Sequence, residues 1–324
     1  MRFVEVGGVR VSAIGLGTWQ FGSPEWGYGE AYAAVEAGAI VERALDLGVN
    51  LVDTAEVYGF GRSERIVGQA IAGRRTQAFV ATKVFPVLPI GPVVEQRGRA
   101  SARRLGVECI DLYQMHWPNP VVPVATTMAG MRRLQATGAV ANVGVSNFSL
   151  RRWRSAERAL GAPVLSNQVR YSLVARRPER QLLPYAAAGD RLVIAYSPLA
   201  QGLLSGRWSP SERPGNGVRR ANPLFLTENL ARVQELLATL AEVARAHDAT
   251  AAQAALAWVI RRPNTVAIPG ARTVAQLEAN VAAADLELTD EEDAALTAAS
   301  DAFRPLPLPA AIAGGQRRRT RRPA

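Results

Sequence analysis

The feature that most constrains the fold is a regular alternation of short apolar runs with longer amphipathic segments. Eight runs show the near-continuous apolar character of strands buried on both faces of a parallel sheet: residues 13–19, 49–55, 78–84, 109–117, 140–148, 164–171, 191–199 and 264–270. Apolar residues recur at helical spacing in residues 33–48, 63–73, 92–105, 123–137, 149–160, 178–189, 228–247, 250–261, 273–284 and 289–300. Eight strands, each followed by a helix, predict an α/β protein that folds as a (β/α)₈ TIM barrel.

Three segments lie outside the eight strand–helix units of such a barrel, and the sequence predicts a structure for each. Gly7 and Gly8 indicate an N-terminal β-hairpin, and the Gly-, Pro- and Arg-rich segment 200–225 indicates a long loop. The acidic first turn of segment 289–300 predicts an extra C-terminal helix. We therefore predict one barrel domain over residues 1–303.

Two further expectations concern the cap of one helix and an alternative to the barrel architecture. Ser63 precedes an amphipathic stretch and is a candidate cap for a helix over residues 63–73. A doubly wound open sheet is the alternative architecture. It is disfavoured because the first strand is followed by GTWQFG, which is not a glycine-rich phosphate loop that opens a helix.

The charge of the chain is concentrated at its C-terminus. The formal net charge is +10, and the last segment, GGQRRRTRRPA, carries five arginines. We interpret residues 304–324 as a basic, disordered tail. The alternative is an arm attracted to phosphate groups or to a membrane surface, so nucleic acid is a candidate partner only through this tail.

Cysteine content and hydropathy bear on the location of the protein. Cys109 is the only cysteine, so no internal disulfide can form, as is usual in the reducing cytoplasm. The start, MRFVEVGGVRV, lacks the apolar region of a signal peptide, and no apolar run reaches the roughly 18 residues of a membrane span. We expect a cytoplasmic protein without a membrane partner. No Cys/His set has zinc spacing, so we expect no metal, and the oligomeric state is left open.

Polar residues end three consecutive predicted strands. Asp53 ends the second, Lys83 the third and His116 the fourth, and Lys83 is the only lysine of the chain. Reactive groups of such barrels gather at the C-terminal strand ends, and neighbouring strands lie about 4.8 Å apart. The three side chains are therefore expected to converge, and Tyr58, five residues after Asp53, lies in a loop that can fold over the same place.

This combination suits proton transfer to a carbonyl oxygen. A tyrosine has an ordinary pKa of about 10, and a neighbouring lysine is expected to lower the pKa of Tyr58. An aspartate would keep the lysine charged, and a neutral histidine could donate a hydrogen bond to the substrate. Taken singly, each residue has an ordinary alternative: Asp53 as a helix cap, Tyr58 as loop packing, His116 as a core residue and Lys83 as chance.

Eight segments together resemble the aldo-keto reductases, in particular a bacterial branch that is similar to channel β-subunits. They are GLGTWQFG, NLVDTAEVYGFGRSERIVGQAI, ATK, RLGVECIDLYQMHWP, VGVSNF, NQVRYS, YSPLAQGLLSGR and IPGARTVAQLEAN, and they cover roughly residues 3–300. The resemblance implies a catalytic tetrad of Asp53, Tyr58, Lys83 and His116. It also implies an NAD(P)H cofactor that lies extended across the mouth of the barrel.

The resemblance further assigns contacts to each part of the cofactor. It places Thr18, Trp19 and Asp53 near the nicotinamide; Ser146, Asn147 and Gln168 on its carboxamide; and Tyr196 on its ring face. It places Ser197, Pro198, Leu199, Gln201, Gly202 and Arg207 at the pyrophosphate, and Ile268, Gly270, Arg272, Gln276 and Asn280 around the adenosine. Arg272 is the candidate for the 2′-phosphate, so NADPH is favoured over NADH.

The implied function is reduction of an aldehyde or ketone to an alcohol, with Tyr58 as general acid. Five aromatic residues are candidate walls of an apolar substrate pocket: Trp26, Phe60, Phe85, Trp117 and Trp208. A regulatory subunit that binds NADP(H) with little or no turnover is the alternative function. The sequence does not name the physiological carbonyl.

Overall fold

The computed structural model of the protein describes residues 1–21, 30–215 and 217–307. The predicted substrate residue Trp26 and tail residues 308–324 lie outside the described residues. The first elements are the strands β1 (Phe3–Val6) and β2 (Val9–Ser12), which pair antiparallel. Both turn glycines have positive φ, 57° at Gly7 and 77° at Gly8, as a tight hairpin turn requires. The predicted N-terminal hairpin is confirmed.

Eight parallel strands follow and lie side by side in chain order. They are β3 (Leu16–Gly17), β4 (Leu51–Asp53), β5 (Phe79–Val84), β6 (Ile110–Met115), β7 (Val140–Ser146), β8 (Ser166–Arg170), β9 (Leu192–Tyr196) and β10 (Thr265–Ile268). Each falls within its predicted apolar run.

The first and last strands also bond to each other, which closes the sheet. The amide of Gly15 donates to the carbonyl of Ala267 at 2.8 Å, and the amide of Gly17 donates to that of Pro269 at 3.1 Å. The predicted barrel is therefore confirmed, and the open-sheet alternative is wrong. Strand β3 is regular over only two residues, shorter than its apolar run, and single bridges join Ile14 to Ala267 and Gly17 to Gly270 beside it.

Helices surround the barrel. They are α1 (Glu30–Asp46), α2 (Arg62–Ile71), α3 (Gly91–Leu105), α4 (Val124–Ala136), α5 (Leu150–Leu160), α6 (Leu182–Ala188), α7 (Gly217–Ala221), α8 (Thr227–Arg232), α9 (Gln234–Ala246), α10 (Ala251–Ile260), α11 (Val274–Ala282) and α12 (Asp290–Ala302). The predicted helix 228–247 is two helices, α8 and α9, which meet at Val233. None of the helices in the described part of the chain is both long and apolar enough to cross a membrane.

The prediction that Ser63 caps helix α2 is wrong. The helix begins one residue earlier, and its N-cap is Gly61 in the left-handed conformation. The Ser63 hydroxyl is instead buried, where it exchanges hydrogen bonds with the hydroxyls of Thr18 and Thr54 at 2.7 and 2.9 Å. Ser63 thus ties the start of α2 to the ends of strands β3 and β4.

The hairpin closes one end of the barrel. Val6 and Val11 pack with Leu51, Leu112 and Leu192, which point inward near the N-terminal ends of their strands. The amide of Gly7 also donates to Asp190 at 2.9 Å. With this end sealed by apolar packing, the C-terminal ends of the strands form the accessible mouth.

The chain stays bonded to the barrel slightly beyond the predicted domain end at residue 303. Phe303 is buried, and the amide of Leu306 donates to the side chain of Asn229 at 2.7 Å. Helix α12 begins with a capping box in which Thr289 and Glu292 exchange hydrogen bonds. The predicted acidic C-terminal helix is thereby confirmed.

Barrel closure can be tested at one glycine. A Cβ added to Gly17 would lie 2.7 Å from the carbonyl oxygen of Ile268, across the seam. We expect Gly17→Ala to lower the free energy of unfolding in urea by about 1–3 kcal/mol, because the backbone at the seam must move to accommodate the added methyl group. Gly73→Ala is the matched control, since a Cβ there has open space, and it should be neutral or slightly stabilising. Equal stabilities of the two variants would contradict the close approach of the first and last strands at Gly17.

Candidate active site

A buried ion pair lies at the centre of the barrel mouth. Lys83 Nζ is 2.6 Å from Asp53 Oδ2, and the side chains are 0% and 3% exposed. The ammonium also donates to the carbonyl of Thr54 at 2.8 Å. The strand register explains the meeting, because Asp53 pairs with Ala81, and Lys83 is the next inward-facing residue of β5.

Amides from the far wall complete the surroundings of the carboxylate. Gln168 Nε2 donates to Asp53 Oδ1 at 2.7 Å, and Gln114 Nε2 approaches the same oxygen at 3.5 Å. Burial raises the pKa of Asp53 and lowers the pKa of Lys83, while their mutual attraction opposes both changes. Because the carboxylate also accepts amide hydrogen bonds, we assign the pair as ionised at neutral pH.

Tyr58 stands beside this pair. Its hydroxyl is 3.4 Å from Lys83 Nζ, and it begins a short 3₁₀ turn after β4. Burial, followed by the negative charge of Asp53, raises the pKa of Tyr58 well above its ordinary value of 10. The net change is therefore opposite in direction to the expected one, because burial and Asp53 outweigh the positive charge of Lys83. The ammonium is closer to Asp53 than to the phenol, and the phenol stays protonated.

His116 completes the cluster as a neutral ring. It follows β6 directly, and its ring meets those of Tyr58 and Phe85 edge to face at 5.8 and 5.9 Å. Burial, together with the charge of Lys83, lowers the pKa of His116 from 6.5 to about 3. Among the described residues its buried Nδ1 has no hydrogen-bond partner.

The four residues expected around a carboxamide and a nicotinamide ring form one hydrogen-bonded chain. The Tyr196 hydroxyl donates to Asn147 Oδ1 at 2.9 Å, and Asn147 Nδ2 donates to Ser146 Oγ at 2.9 Å. Ser146 Oγ donates to the carbonyl of Gln168 at 2.9 Å, and the Gln168 side chain ends on Asp53. These residues lie together at the mouth, beside the ion pair.

The other residues expected at the nicotinamide lie on β3 and just after it. Thr18 is fully buried and donates to the carbonyl of Asp53 at 2.9 Å, so it supports the site from behind. Trp19 is partly exposed, with its ring 6.4 Å from that of Tyr58. Of these two, only Trp19 offers accessible surface at the mouth.

The segment expected at the pyrophosphate has an unusual backbone. Ser197, Gln201 and Gly202 all have positive φ, at 49°, 60° and 91°, and the partly exposed Leu199 and buried Pro198 lie between them. Turns of this kind can direct several backbone amides toward an anion. Sequence reasoning missed Arg219, which donates to the carbonyl of Gln201 at 2.8 Å, because 18 residues separate the two.

Arg207 and Trp208 pack locally. The Arg207 guanidinium lies 4.8 Å from the Trp208 ring, and that ring meets Phe225 edge to face at 6.2 Å. The structure thus places Trp208 against the core of the loop that follows β9.

The residues expected at the adenosine lie where β10 leads into α11. Gln276 Oε1 accepts from the amide of Arg272 at 2.9 Å, and Asn280 Nδ2 reaches the carbonyl of Gly270 at 3.4 Å. Arg272 and Gln276 are exposed, whereas Ile268 is buried. A Cβ on Gly270 would lie 2.7 Å from Gln20 Oε1, so glycine permits a close approach of the chain here.

Behind the ion pair lies a second polar layer that sequence reasoning missed. Glu64 is fully buried, accepts from the Thr82 hydroxyl at 2.7 Å and pairs with Arg104. Glu56 pairs with Arg97 and accepts from the amide of Phe85. Among the described residues, no three His, Cys, Asp or Glu side chains are grouped so that they could hold a metal ion.

Comparison with known proteins decides the family. The model of the Aldo/keto reductase family matches residues 13–301. The chain belongs to this family. It is an NAD(P)H-dependent oxidoreductase, as the sequence resemblance implies. The donor set is of the kind that such a cofactor needs, since a hydrogen-bonded chain runs from Tyr196 through Asn147 and positive φ values occur in the segment after β9.

Three similar proteins illustrate the relationship. An uncharacterised oxidoreductase of Mycobacterium tuberculosis is 57% identical over 307 residues, which cover 94% of this chain and 95% of that protein. A methylglyoxal reductase of Escherichia coli is 35% identical over 291 residues, covering 90% and 91%. The crystal structure of an aldo/keto reductase from Klebsiella pneumoniae in complex with NADP and acetate matches with a TM-score of 0.75 and 32% identity, covering 94% and 96%.

A double-mutant cycle tests the ion pair. Lys83→Met leaves a buried carboxylate unpaired and should lower the free energy of unfolding by about 3–5 kcal/mol. Asp53→Asn/Lys83→Met removes both charges and should cost clearly less than the two single changes added together. Urea unfolding of the four proteins measures this. Simple additivity would mean that the two groups do not interact.

The protonation of His116 is testable by NMR, because the chain has only two histidines. In a His247→Asn variant, the remaining imidazole should stay neutral from about pH 8 to about pH 5, since its folded pKa is about 3. Between the unfolded pKa of 6.5 and the folded value of about 3, the unfolded chain binds more protons. The free energy of unfolding should therefore fall as pH falls through this window. A ring that titrates near 6.5 would contradict the buried placement.

Proposed function

We propose that the protein reduces an aldehyde or ketone to an alcohol with NADPH as hydride donor. The observation that carries this proposal is the position of the Tyr58 hydroxyl, 3.4 Å from the only lysine and beside the neutral ring of His116. A protonated phenol, a buried cation and a neutral imidazole at one barrel mouth suit a carbonyl oxygen that gains negative charge.

The proposed chemistry assigns one task to each residue. A bound reduced nicotinamide supplies the hydride that adds to the carbonyl carbon. Tyr58 donates its proton to the carbonyl oxygen, so the C=O bond becomes a C–OH group and the phenol becomes a phenolate. The Lys83 ammonium, held by Asp53, stabilises that phenolate until water returns a proton. His116 orients the carbonyl oxygen by a hydrogen bond, which a neutral ring can donate.

The raised pKa of Tyr58 keeps the phenol protonated at neutral pH, although it also makes the phenol a weaker acid. A phenol with a pKa above 10 holds its proton at neutral pH and is therefore ready to act as an acid. The alkoxide that it protonates is a stronger base still. In this proposal Lys83 stabilises the phenolate, and its positive charge therefore opposes the rise in the pKa of Tyr58 that burial causes.

The residues proposed to bind the cofactor form separate groups along the barrel mouth, one for each part of the cofactor. Ser146, Asn147 and Tyr196 would hold the nicotinamide end, and the left-handed segment after β9 would hold the pyrophosphate. Arg272 would bind the 2′-phosphate, because a guanidinium binds phosphate with paired hydrogen bonds. The similar Klebsiella pneumoniae protein was crystallised with NADP, whereas a similar Escherichia coli protein is an NADH-specific methylglyoxal reductase, so the proposed preference for NADPH depends on Arg272.

Replacing one hydroxyl tests the proton donor. Tyr58→Phe should lower kcat for reduction of an aromatic aldehyde at least about 100-fold, with NADPH binding unchanged, because only the donated proton is lost. Tyr113→Phe is the matched control: its hydroxyl is buried with no partner among the described residues, so its removal should leave the rate unchanged. NADPH oxidation, followed by absorbance, measures both variants.

Two results would contradict this proposal. Reduction by Tyr58→Phe at the rate of the unaltered protein would exclude Tyr58 as the donor. Tight NADPH binding without turnover of any carbonyl in a broad panel would favour the alternative, a regulatory subunit that uses NADP(H) as a ligand.

In this proposal the preference for NADPH over NADH depends on Arg272. Arg272→Gln should raise the Kd for NADPH about tenfold to a hundredfold, as expected when a charged hydrogen bond is lost, and should leave the Kd for NADH unchanged. Arg245→Gln, at an exposed arginine of α9, is the control for loss of net charge. A parallel weakening of both cofactors by Arg272→Gln would exclude the 2′-phosphate assignment.

A further inference from the structure

Glu56 joins the ends of strands β4 and β5 through its side chain. Its backbone amide approaches the carbonyl of Lys83 at 3.4 Å, and earlier in the ladder the amide of Phe79 donates to the carbonyl of Asn50 at 2.7 Å. The evenly spaced bonds of a parallel pair advance by two residues on each strand and would place the Phe85 amide on the carbonyl of Glu56. That amide donates instead to the Glu56 carboxylate. A side chain therefore replaces a strand bond where the chain turns away from β5.

The turn that begins here carries Tyr58. The amide of Tyr58 donates to the carbonyl of Ala55 at 3.0 Å, and Gly59 and Phe60 follow, each with a φ of 54°. Phe60, a predicted wall of the substrate pocket, is 96% exposed. Apolar packing of Phe60 therefore does not fix this turn, which leaves polar contacts such as those of Glu56 to hold it.

Arg97 of helix α3 completes the connection. Its Nε is 3.0 Å from Glu56 Oε2, and its Nη2 donates to Glu56 Oε1, so two parallel bonds hold the carboxylate. Arg97 Nη1 donates to the carbonyls of Phe85 and Val87 at 2.9 and 3.1 Å. The side chains of Glu56 and Arg97 are only 9% and 25% exposed. A bidentate pair of this kind fixes geometry as well as charge.

The connection reaches both sides of the proposed proton-transfer site. Glu56 lies two residues before Tyr58, whose ring meets the His116 ring edge to face at 5.8 Å. Phe85 meets the same His116 ring at 5.9 Å. Trp117, the residue after His116 and another predicted pocket wall, is 46% exposed. Through the Phe85 backbone, Glu56 thus links the segment that carries Tyr58 to an aromatic neighbour of His116.

We propose that Glu56 and Arg97 are positioning residues that fix the Tyr58 hydroxyl relative to the His116 ring. This inference rests on the proposed function. It adds that an ion pair outside the tetrad controls the rate of turnover and not the binding of substrate or cofactor. A displacement of about 1 Å between reacting groups can lower a rate about a hundredfold.

The chain offers a matched control in Glu157. This residue pairs with Arg191 at similar exposures of 11% and 17%, and it accepts from the amide of Val164 at 3.3 Å. Arg191 also donates to a backbone carbonyl, that of Gly189. The control pair lies at the end of the barrel opposite the mouth, because Arg191 directly precedes β9. The two glutamates therefore share their chemistry but not their location.

Kinetics test the positioning role. Glu56→Gln should lower kcat for an aromatic aldehyde about tenfold to a hundredfold, in single-turnover measurements as well, while KM and the Kd for NADPH stay unchanged. Arg97→Gln should lower kcat similarly. The double variant Glu56→Gln/Arg97→Gln should lose no more than the worse single variant, because the two residues act as one unit. Glu157→Gln should keep the full kcat, although it should unfold at a lower urea concentration, as Glu56→Gln should.

An NMR measurement separates this inference from the proposed function. In the His247→Asn variant, the carbon-bound ring protons of His116 lie beside two aromatic rings, so their chemical shifts report the position of His116 relative to Tyr58 and Phe85. Glu56→Gln should shift these signals and Glu157→Gln should not, whether or not any aldehyde is reduced. Unmoved signals in Glu56→Gln, or equal kcat values for the two glutamine variants, would overturn the inference. So would a rise in KM or in the Kd for NADPH at unchanged kcat, since Glu56 would then act on binding.

Discussion

A lysine and an aspartate without access to solvent form the interaction on which this structure depends. Removing two charges from water is costly, and the cost is recovered only when geometry is good and the remaining polar atoms are bonded. Here Gln114 and Gln168, in β6 and β8, and Thr54, directly after β4, supply those partners. The pair therefore constrains the register of the barrel, and any strand slip would leave a buried charge without compensation.

The rest of the site follows from where this pair lies. The hairpin seals the opposite end of the barrel with apolar side chains, and Tyr58 and His116 lie in contact beside the charges at the open end. Desolvation keeps the imidazole neutral and the phenol protonated at the same pH, although the two groups titrate differently in water. One buried environment thus prepares a proton donor and a neutral hydrogen-bond donor side by side.

Much of this could be predicted from the sequence, because strand-end spacing and parallel pairing already bring Asp53, Lys83 and His116 together. The direction of the Tyr58 pKa could not, since it depends on burial and on the charge of Asp53, which together outweigh an ammonium 2.6 Å from that carboxylate and 3.4 Å from the phenol. The Arg97–Glu56 contact joins residues 41 apart and leaves no local pattern. Ser63 looked like a helix cap because capping signals are local, whereas its buried hydroxyl partners come from other strands.

The charge state of Lys83 is the most direct test of this account. Because the chain has one lysine, ¹⁵N-lysine labelling gives a single side-chain resonance. We predict the signal of a charged ammonium at neutral pH, with protons that exchange slowly with water. The midpoint of its conversion to the neutral amine should lie at a lower pH than the ordinary pKa of 10.5. A freely exchanging amine that titrates at its ordinary pKa would contradict a buried ion pair at the centre of the site.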